Sequence, residues 1–404
     1  MTCEIAVMNK RGVALAADSA VSIGDGHRVY HTAEKLFRLS NAPIAIMTYG
    51  CSEMMGVPWE IVINTYIEQF GPRRFSTVEQ YAQDFLRFVE ASEMLFPASA
   101  QEEWFLNIVE SVWRANIREP WLKKLGGEKK PPSPKASSLL LLTVKAEAAR
   151  FQKVPQIEHF GDDLGEKIFA DYDEGLRKLE DTVYPDVDLT DEIREGLRLV
   201  AKLMHTRQWF HPNHFSGMVV AGYGDAEPFP SLYIYSVGTI VSSKLRWIKN
   251  DEAHVDRAHP VIVIPFAQTD MIDLFCNGIY PTLKDRLAEI ISKSMQLQKA
   301  TKSSKLESQI MANDIRKIIE REFQEKYTVP LIGAVEALSR YDLAKMAEAL
   351  VSLTAFKARM SVEQQEAVGG PIDVAVISKG QGFAWVKRKS PIEHDNAVTG
   401  FLIS

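Results

Sequence analysis

Thr2, Asp18 and Lys35 are the residues of this 404-residue chain whose types and spacing could do chemistry together. A threonine hydroxyl is a weak nucleophile until a base takes its proton. A free α-amine, with an ordinary pKa of about 7.7 to 8.0, is better poised for that than a lysine. Only an N-terminal threonine carries both groups on one residue. Thr2 directly follows Met1, and its small side chain leads to the expectation that Met1 is removed and the amine freed. A second cation nearby would favour the neutral amine and stabilise an alkoxide, and in a partly dry site it needs a carboxylate to hold it. Asp18 closes the apolar run GVALAADS, where an ionised side chain calls for a partner, and Lys35 heads KLFRLS after an intervening loop. The two are the natural pair.

Strands must position these groups. CEIAVMN and GVALAADS are β-branched apolar runs joined by Lys10-Arg11-Gly12, a tight hairpin, and KLFRLS and PIAIMTYG follow after the loop SIGDGHRVYHTAE. After Gly50 the apolar spacing becomes helical in EMMGVPWEIVINTYIEQF and STVEQYAQDFLRFVEASEMLF, with Ser76 as N-cap and Glu79 closing a capping box. Residues 97–214 read as a charged, mostly helical insertion broken by GGEKKPPSPKASS, an exposed loop or linker. A second β block comprises FSGMVVAGYG, SLYIYSVGTIV and, after a charged loop, HPVIVIPFAQ, the first two forming a hairpin across DAEPFP. Helices with a break at KATKSSK lead to PIDVAVISKG and GFAWVKRKS, which close the chain. The order predicts an α+β arrangement of two mainly antiparallel sheets that stack, with helices outside.

Thr2, LAADS, Lys35, MTYG and GGPIDVAVI, in this order, resemble the β-type subunits of proteasomes and their bacterial relatives, the N-terminal nucleophile (Ntn) hydrolases. The resemblance covers about the first ninety residues, 215 to about 278, and about 342 to 388. It implies a four-layer αββα Ntn-hydrolase sandwich with helical insertions. The first half of the core would span 1–96, the helical insertion 97–214 and the second half 215–404, with a helical extension at about 283–340. It also implies roles: Thr2 as nucleophile, Asp18 as orienting carboxylate, and Lys35 as the lysine that lowers the amine pKa. The backbone N–H of Tyr49 or Gly50 would serve the oxyanion, and Ser19 would lie along the substrate strand or belong to the turn. The family's Asp and Ser before the Gly-Gly pair are replaced by Gln365 and Val368, with Glu366 adjacent. Its accessory serine would fall near Gln268-Thr269-Asp270.

Composition narrows the function further. Forty-seven basic against 53 acidic residues give a formal charge of −6, with no global pull toward nucleic acid or anionic lipid. Cys3, Cys51 and Cys276 are widely spaced, which fits a reducing, cytoplasmic setting and no zinc ribbon. Cys3, on the opposite strand face from Thr2, is expected in the core, and Cys51 near a pocket. His205, His211 and His214 in HTRQWFHPNH lack a carboxylate or Cys at ligand spacing and read as loop histidines. IGDGH has no following GK[ST] and is no phosphate loop. No apolar run has the length of a membrane span. The expectation is a threonine-type hydrolase of peptide bonds with no metal or organic cofactor. It would assemble as a homo-oligomeric ring or chamber, an arrangement compatible with an ATP-driven unfoldase partner. A non-proteolytic Ntn amidase on a small amide and a catalytically weak scaffold subunit are the alternatives.

Overall fold

The computed structural model describes residues 3–23, 28–30, 33–39, 42–126, 134–161, 163–185, 187–298, 305–360 and 369–389. Met1, Thr2, most of IGDGH, and Gln365, Glu366 and Val368 lie outside the described residues. The first strands are β1 (Cys3–Asn9), β2 (Gly12–Asp18), β3 (Val21–Ile23), β4 (Arg28–Tyr30), β5 (Leu36–Leu39) and β6 (Ile44–Gly50). A two-residue pair, β7 (Glu53–Met54) and β8 (Val57–Pro58), leads into helices α1 (Trp59–Phe70) and α2 (Val78–Ala91). A helical block follows: α3 (Ala98–Val112), a π turn at Trp113–Arg118, α4 (Glu119–Lys124), α5 (Pro134–Gln152), α6 (Leu164–Val183) and α7 (Asp191–Thr206). Then come β9 (Ser216–Gly222), β10 (Ser231–Val241), β11 (Lys244–His254) and β12 (Val261–Ala267). Helices α8 (Asp270–Asn277), α9 (Pro281–Gln298), α10 (Lys305–Phe323), α11 (Val329–Ala337) and α12 (Arg340–Met360) precede β13 (Ile372–Ser378) and β14 (Gly382–Lys387).

The fold is mixed α and β with antiparallel sheets. One sheet runs β12-β1-β2-β13-β14 and the other β11-β10-β9-β6-β5. Strand alternation sends Ala6, Met8, Leu15 and Ala17 of the first sheet against Met47, Val219, Ala221 and Leu232 of the second, one apolar cluster shared by both. The opposite faces of β1 and β2, with Cys3, Ile5, Val7, Ala14 and Ala16, pack on α12 through Leu343, Ala347 and Val351. On the far side of the second sheet, Ile44, Ile46, Met218 and Val220 pack on α1 and α2. Helices α3 to α7 share a separate core around Phe105, Trp113, Phe151 and Leu197.

Three local expectations are corrected. The stretch after β10, expected as a charged loop, is the eleven-residue strand β11. It lies at a sheet edge, where most of its side chains meet solvent, so the apolar alternation that marks a strand is lost. The N-cap of α2 is Thr77, whose hydroxyl accepts from Gln80 N–H while Gln80 reaches back to the cap, one residue beyond the expected Ser76 and Glu79. PKASS, expected as linker, opens α5 at Pro134, a residue suited to a first helical turn because it has no N–H to leave unpaired.

Candidate functional site

The site is assembled where β1, β2, β5 and the entry to β13 meet. β1 and β2 pair through Glu4↔Ala17, and β2 pairs with β13 through Asp18↔Ile372, so Asp18 ends its strand beside the turn that starts β13. Its carboxylate is 1% exposed and fully engaged. Oδ1 takes the Lys35 ammonium at 2.6 Å and Cys3 N–H at 3.3 Å, and Oδ2 takes Gly369 N–H at 2.9 Å. The first glycine of the GGPIDVAVI stretch is thereby tied to the carboxylate that binds Lys35.

The backbone around Lys35 is fixed from two directions. Lys35 C=O accepts Thr48 N–H of β6 at 2.8 Å, and Ala33 N–H donates to Ser19 O at 3.3 Å. The end of β14 grips the same approach, with Lys389 Nζ donating to Ala33 O and Arg388 pairing with Glu34 at 3.2 Å. Ser19 donates its hydroxyl to Pro371 O at 2.8 Å, which holds the β2 turn against the start of β13.

A group absent from the expected site completes it. Glu4, 0% exposed, places Oε1 3.1 Å from Lys35 Nζ, so one ammonium serves two carboxylates. Burial is the largest influence on Lys35 and pushes its pKa down. The Glu4 and Asp18 charges and hydrogen bonds together outweigh it and hold the lysine above its ordinary value. The sequence carried the signal for Glu4: it is the one charge inside the apolar run CEIAVMN, the same reasoning that singles out Asp18.

Tyr49 and Gly50 close β6 opposite Gly217 and Ser216. The Tyr49 ring covers Gly217, where an added Cβ would sit 1.9 Å from Cζ, and it meets Phe266 with ring centroids 5.3 Å apart. Burial, then the Glu4 charge, raises the Tyr49 phenol above its usual range. Gly50 has φ +82°, a conformation open to glycine at little cost. Cys3 faces α12 and is fully buried, with burial pushing its thiol up to about 12. Cys51, half-buried, lines a small cavity with Met54, Trp104, His214 and Thr239. Thr269 and Asp270, at the expected accessory position, are the N-cap and first residue of α8.

The histidine cluster is dispersed by the fold. His205 is buried with Nδ1 2.9 Å from Ala201 O, while His211 and His214 stack at 4.6 Å on the loop before β9. Among the described residues, no group of three or more His, Cys, Asp and Glu side chains is arranged to hold a metal ion. Among the same residues, no helix is long and apolar enough to cross a membrane.

No family model matches the chain. No curated protein matches it either. Among solved structures, it is similar to a mutant of Anbu from Hyphomicrobium sp. strain MC1 at 10% identity and a TM-score of 0.29, over 96% of this chain and 86% of that one. It is similar to Anbu, described as an ancestral beta-subunit, from Yersinia bercovieri at 9% identity and a TM-score of 0.28, over 96% and 89% of the two chains. Likenesses this weak carry no argument. The resemblance to proteasome β-type subunits is therefore corrected: it does not make the chain a member of that family. The physical reason is that LAADS, MTYG and GGPIDVAVI are short stretches of the kind any buried antiparallel strand favours, and their order alone does not establish descent.

Proposed function

We propose that the chain is an amide-bond hydrolase using Thr2 as an N-terminal nucleophile, and that its substrates are peptides. One observation carries the reading. Asp18 Oδ1 joins the Lys35 ammonium to Cys3 N, the nitrogen of the peptide bond that Thr2 forms with Cys3. Covalent geometry then ties the Thr2 Cα to within about 2.5 Å of that nitrogen. Thr2 itself lies outside the described residues.

In this mechanism the Thr2 hydroxyl attacks the substrate carbonyl and gives its proton to the freed Thr2 amine. The Oγ–C bond forms, the C–N bond breaks, and the departing amine takes that proton. Water then cleaves the acyl-enzyme ester. Lys35 stays charged throughout and stabilises the developing negative charge.

Backbone parity supports Gly50 over Tyr49 as the oxyanion donor. Thr48 N–H goes to Lys35 O on the β5 side, and Cys51 N–H goes to Phe215 O on the β9 side. Successive N–H groups of a strand point to opposite edges, so Tyr49, paired with Gly217, directs its donor into β9. Gly50 directs its own toward the side on which Lys35 stands.

The fold that goes with this reading is the four-layer αββα sandwich, with 1–96 and 215–404 as its halves, 97–214 inserted and about 283–340 as an extension. The inter-sheet cluster and the two helix-covered outer faces support it. Self-assembly into a ring or chamber belongs to the same proposal, and the mass of the native particle tests it. The closing experiment combines intact mass with labelling. Wild-type protein is expected to lack Met1 and to form a β-lactone adduct on Thr2, and Thr2→Ala is expected to lose peptide hydrolysis at least about 1000-fold. Retained Met1, or full activity in Thr2→Ala, sinks the mechanism.

A further inference from the structure

Glu4 is expensive where it stands. β1 is buried from end to end, and alternation places Glu4 on the same face as Ala6 and Met8, whose side chains pack between the two sheets. Asp18 alone would neutralise Lys35. Adding Glu4 makes a cluster of one ammonium and two carboxylates, all at most 6% exposed. A buried ion pair contributes little to stability. Packing would be served better by a neutral side chain of the same shape.

The distances show what the second carboxylate does. Lys35 Nζ is held at 2.6 Å by Asp18 and at 3.1 Å by Glu4, from two strands at once, so the ammonium is fixed in direction as well as in charge. The groups facing it are Glu4 and Cys3 of β1 and Asp18 of β2, with Tyr49 of β6 within the field of Glu4. The Cys3 thiol and the Tyr49 phenol are both pushed up, so neither adds charge at neutral pH. We propose that Glu4 is a positioning residue of the reaction: it locks Lys35 as a directed, permanent cation, so that charge stabilisation falls to Lys35 and proton transfer to another group. The inference rests on the hydrolase reading and extends it to a residue outside the Thr2, Asp18 and Lys35 set.

The test compares full-length wild type with Glu4→Gln, which keeps the shape and an accepting oxygen, using two readouts. The first needs no turnover: the Lys35 15Nζ signal in lysine-labelled protein, assigned by its loss in Lys35→Met, is followed from pH 7 to 11. In Glu4→Gln the neutral fraction of Lys35 at pH 9.5 is expected to rise about tenfold. The second is peptide hydrolysis: the alkaline limb of the rate profile is expected to move to lower pH by about one pH unit in the variant, in step with the Lys35 titration. The melting temperature is expected to hold. An unchanged Lys35 titration in an active enzyme overturns the role of Glu4 alone. A large drop in melting temperature with an unmoved pH profile assigns Glu4 to the fold instead and also overturns it. If wild type hydrolyses nothing, the hydrolase reading falls whatever the NMR titration gives.

Discussion

Two buried cations in this molecule are handled in opposite ways. Lys35, between the sheets, is held by two carboxylates. Arg246 of β11, 2% exposed at the seam with the helical block, takes backbone carbonyls at the end of α7 and just beyond it. It donates to His205 O and Met204 O at 2.9 Å, and to Trp209 O. Burial pushes the Arg246 guanidinium down to about 9, whereas Lys35 is held above its ordinary value. A cation satisfied by the partial charges of a helix end fastens two elements together. A cation held by two carboxylates keeps its charge.

The contrast breaks most severely at Lys35. Lys35→Met leaves two buried carboxylates with their ammonium gone, and a stability loss of about 3–5 kcal/mol is expected together with loss of hydrolysis. Denaturant melts and peptide turnover measure the two effects. The sign of the pH dependence follows from the raised folded value. The pair's contribution is fully present below the unfolded lysine value of 10.5 and is lost as pH rises through the higher folded value. A wild-type alkaline stability loss that persists unchanged in Lys35→Met would show that Lys35 is not its source.

Arg246→Met tests the other half of the comparison. It removes a donor to three carbonyls but also relieves the desolvation of a charge, so about 2–3 kcal/mol is expected, below the Lys35 effect. The damage belongs at the seam between β11 and α7, so peptide hydrolysis per folded molecule is expected to stay within twofold of wild type, about 0.4 kcal/mol. A loss of turnover matching that of Lys35→Met would erase the distinction between a fastening cation and a working one.

The same contrast explains what could be read from the chain. Asp18 and Lys35 were legible because each breaks an apolar strand pattern at its end. Glu4 does so too, as the second residue of β1, where a single charge is easily taken for the solvent face of an alternating strand. Only the second sheet, brought in from residues 36–50 and 216–254, turns that face into the interior. The seam was not legible at all. β11 is an edge strand whose exposed residues imitate a loop, and Arg246 is one more basic residue in it until α7 is seen to end on its guanidinium. The α2 cap slipped by one because Ser76-Thr77 and Glu79-Gln80 supply two overlapping capping boxes, and local sequence alone does not choose between them.

The smallest effect at neutral pH is expected at His205, whose backbone carbonyl Arg246 holds. The ring is fully buried, 4.5 Å from Phe105, with Nδ1 on Ala201 O and, among the described residues, no hydrogen-bond partner for Nε2. Burial, and then the Arg246 charge, push its pKa down from 6.5 to about 3, so it is neutral in the fold. Below pH 6.5 the unfolded chain binds a proton that the folded chain refuses, so stability falls as pH drops from 6.5 toward 3. His205→Leu keeps an apolar group of similar bulk and is expected to change stability at pH 7 by no more than about 1 kcal/mol. At pH 4 it is expected to be the more stable form by roughly 3 kcal/mol, because the leucine chain has no proton to bind. Paired denaturant melts at the two pH values measure both numbers. An acid loss of the same size in His205→Leu would move its origin to the carboxylates.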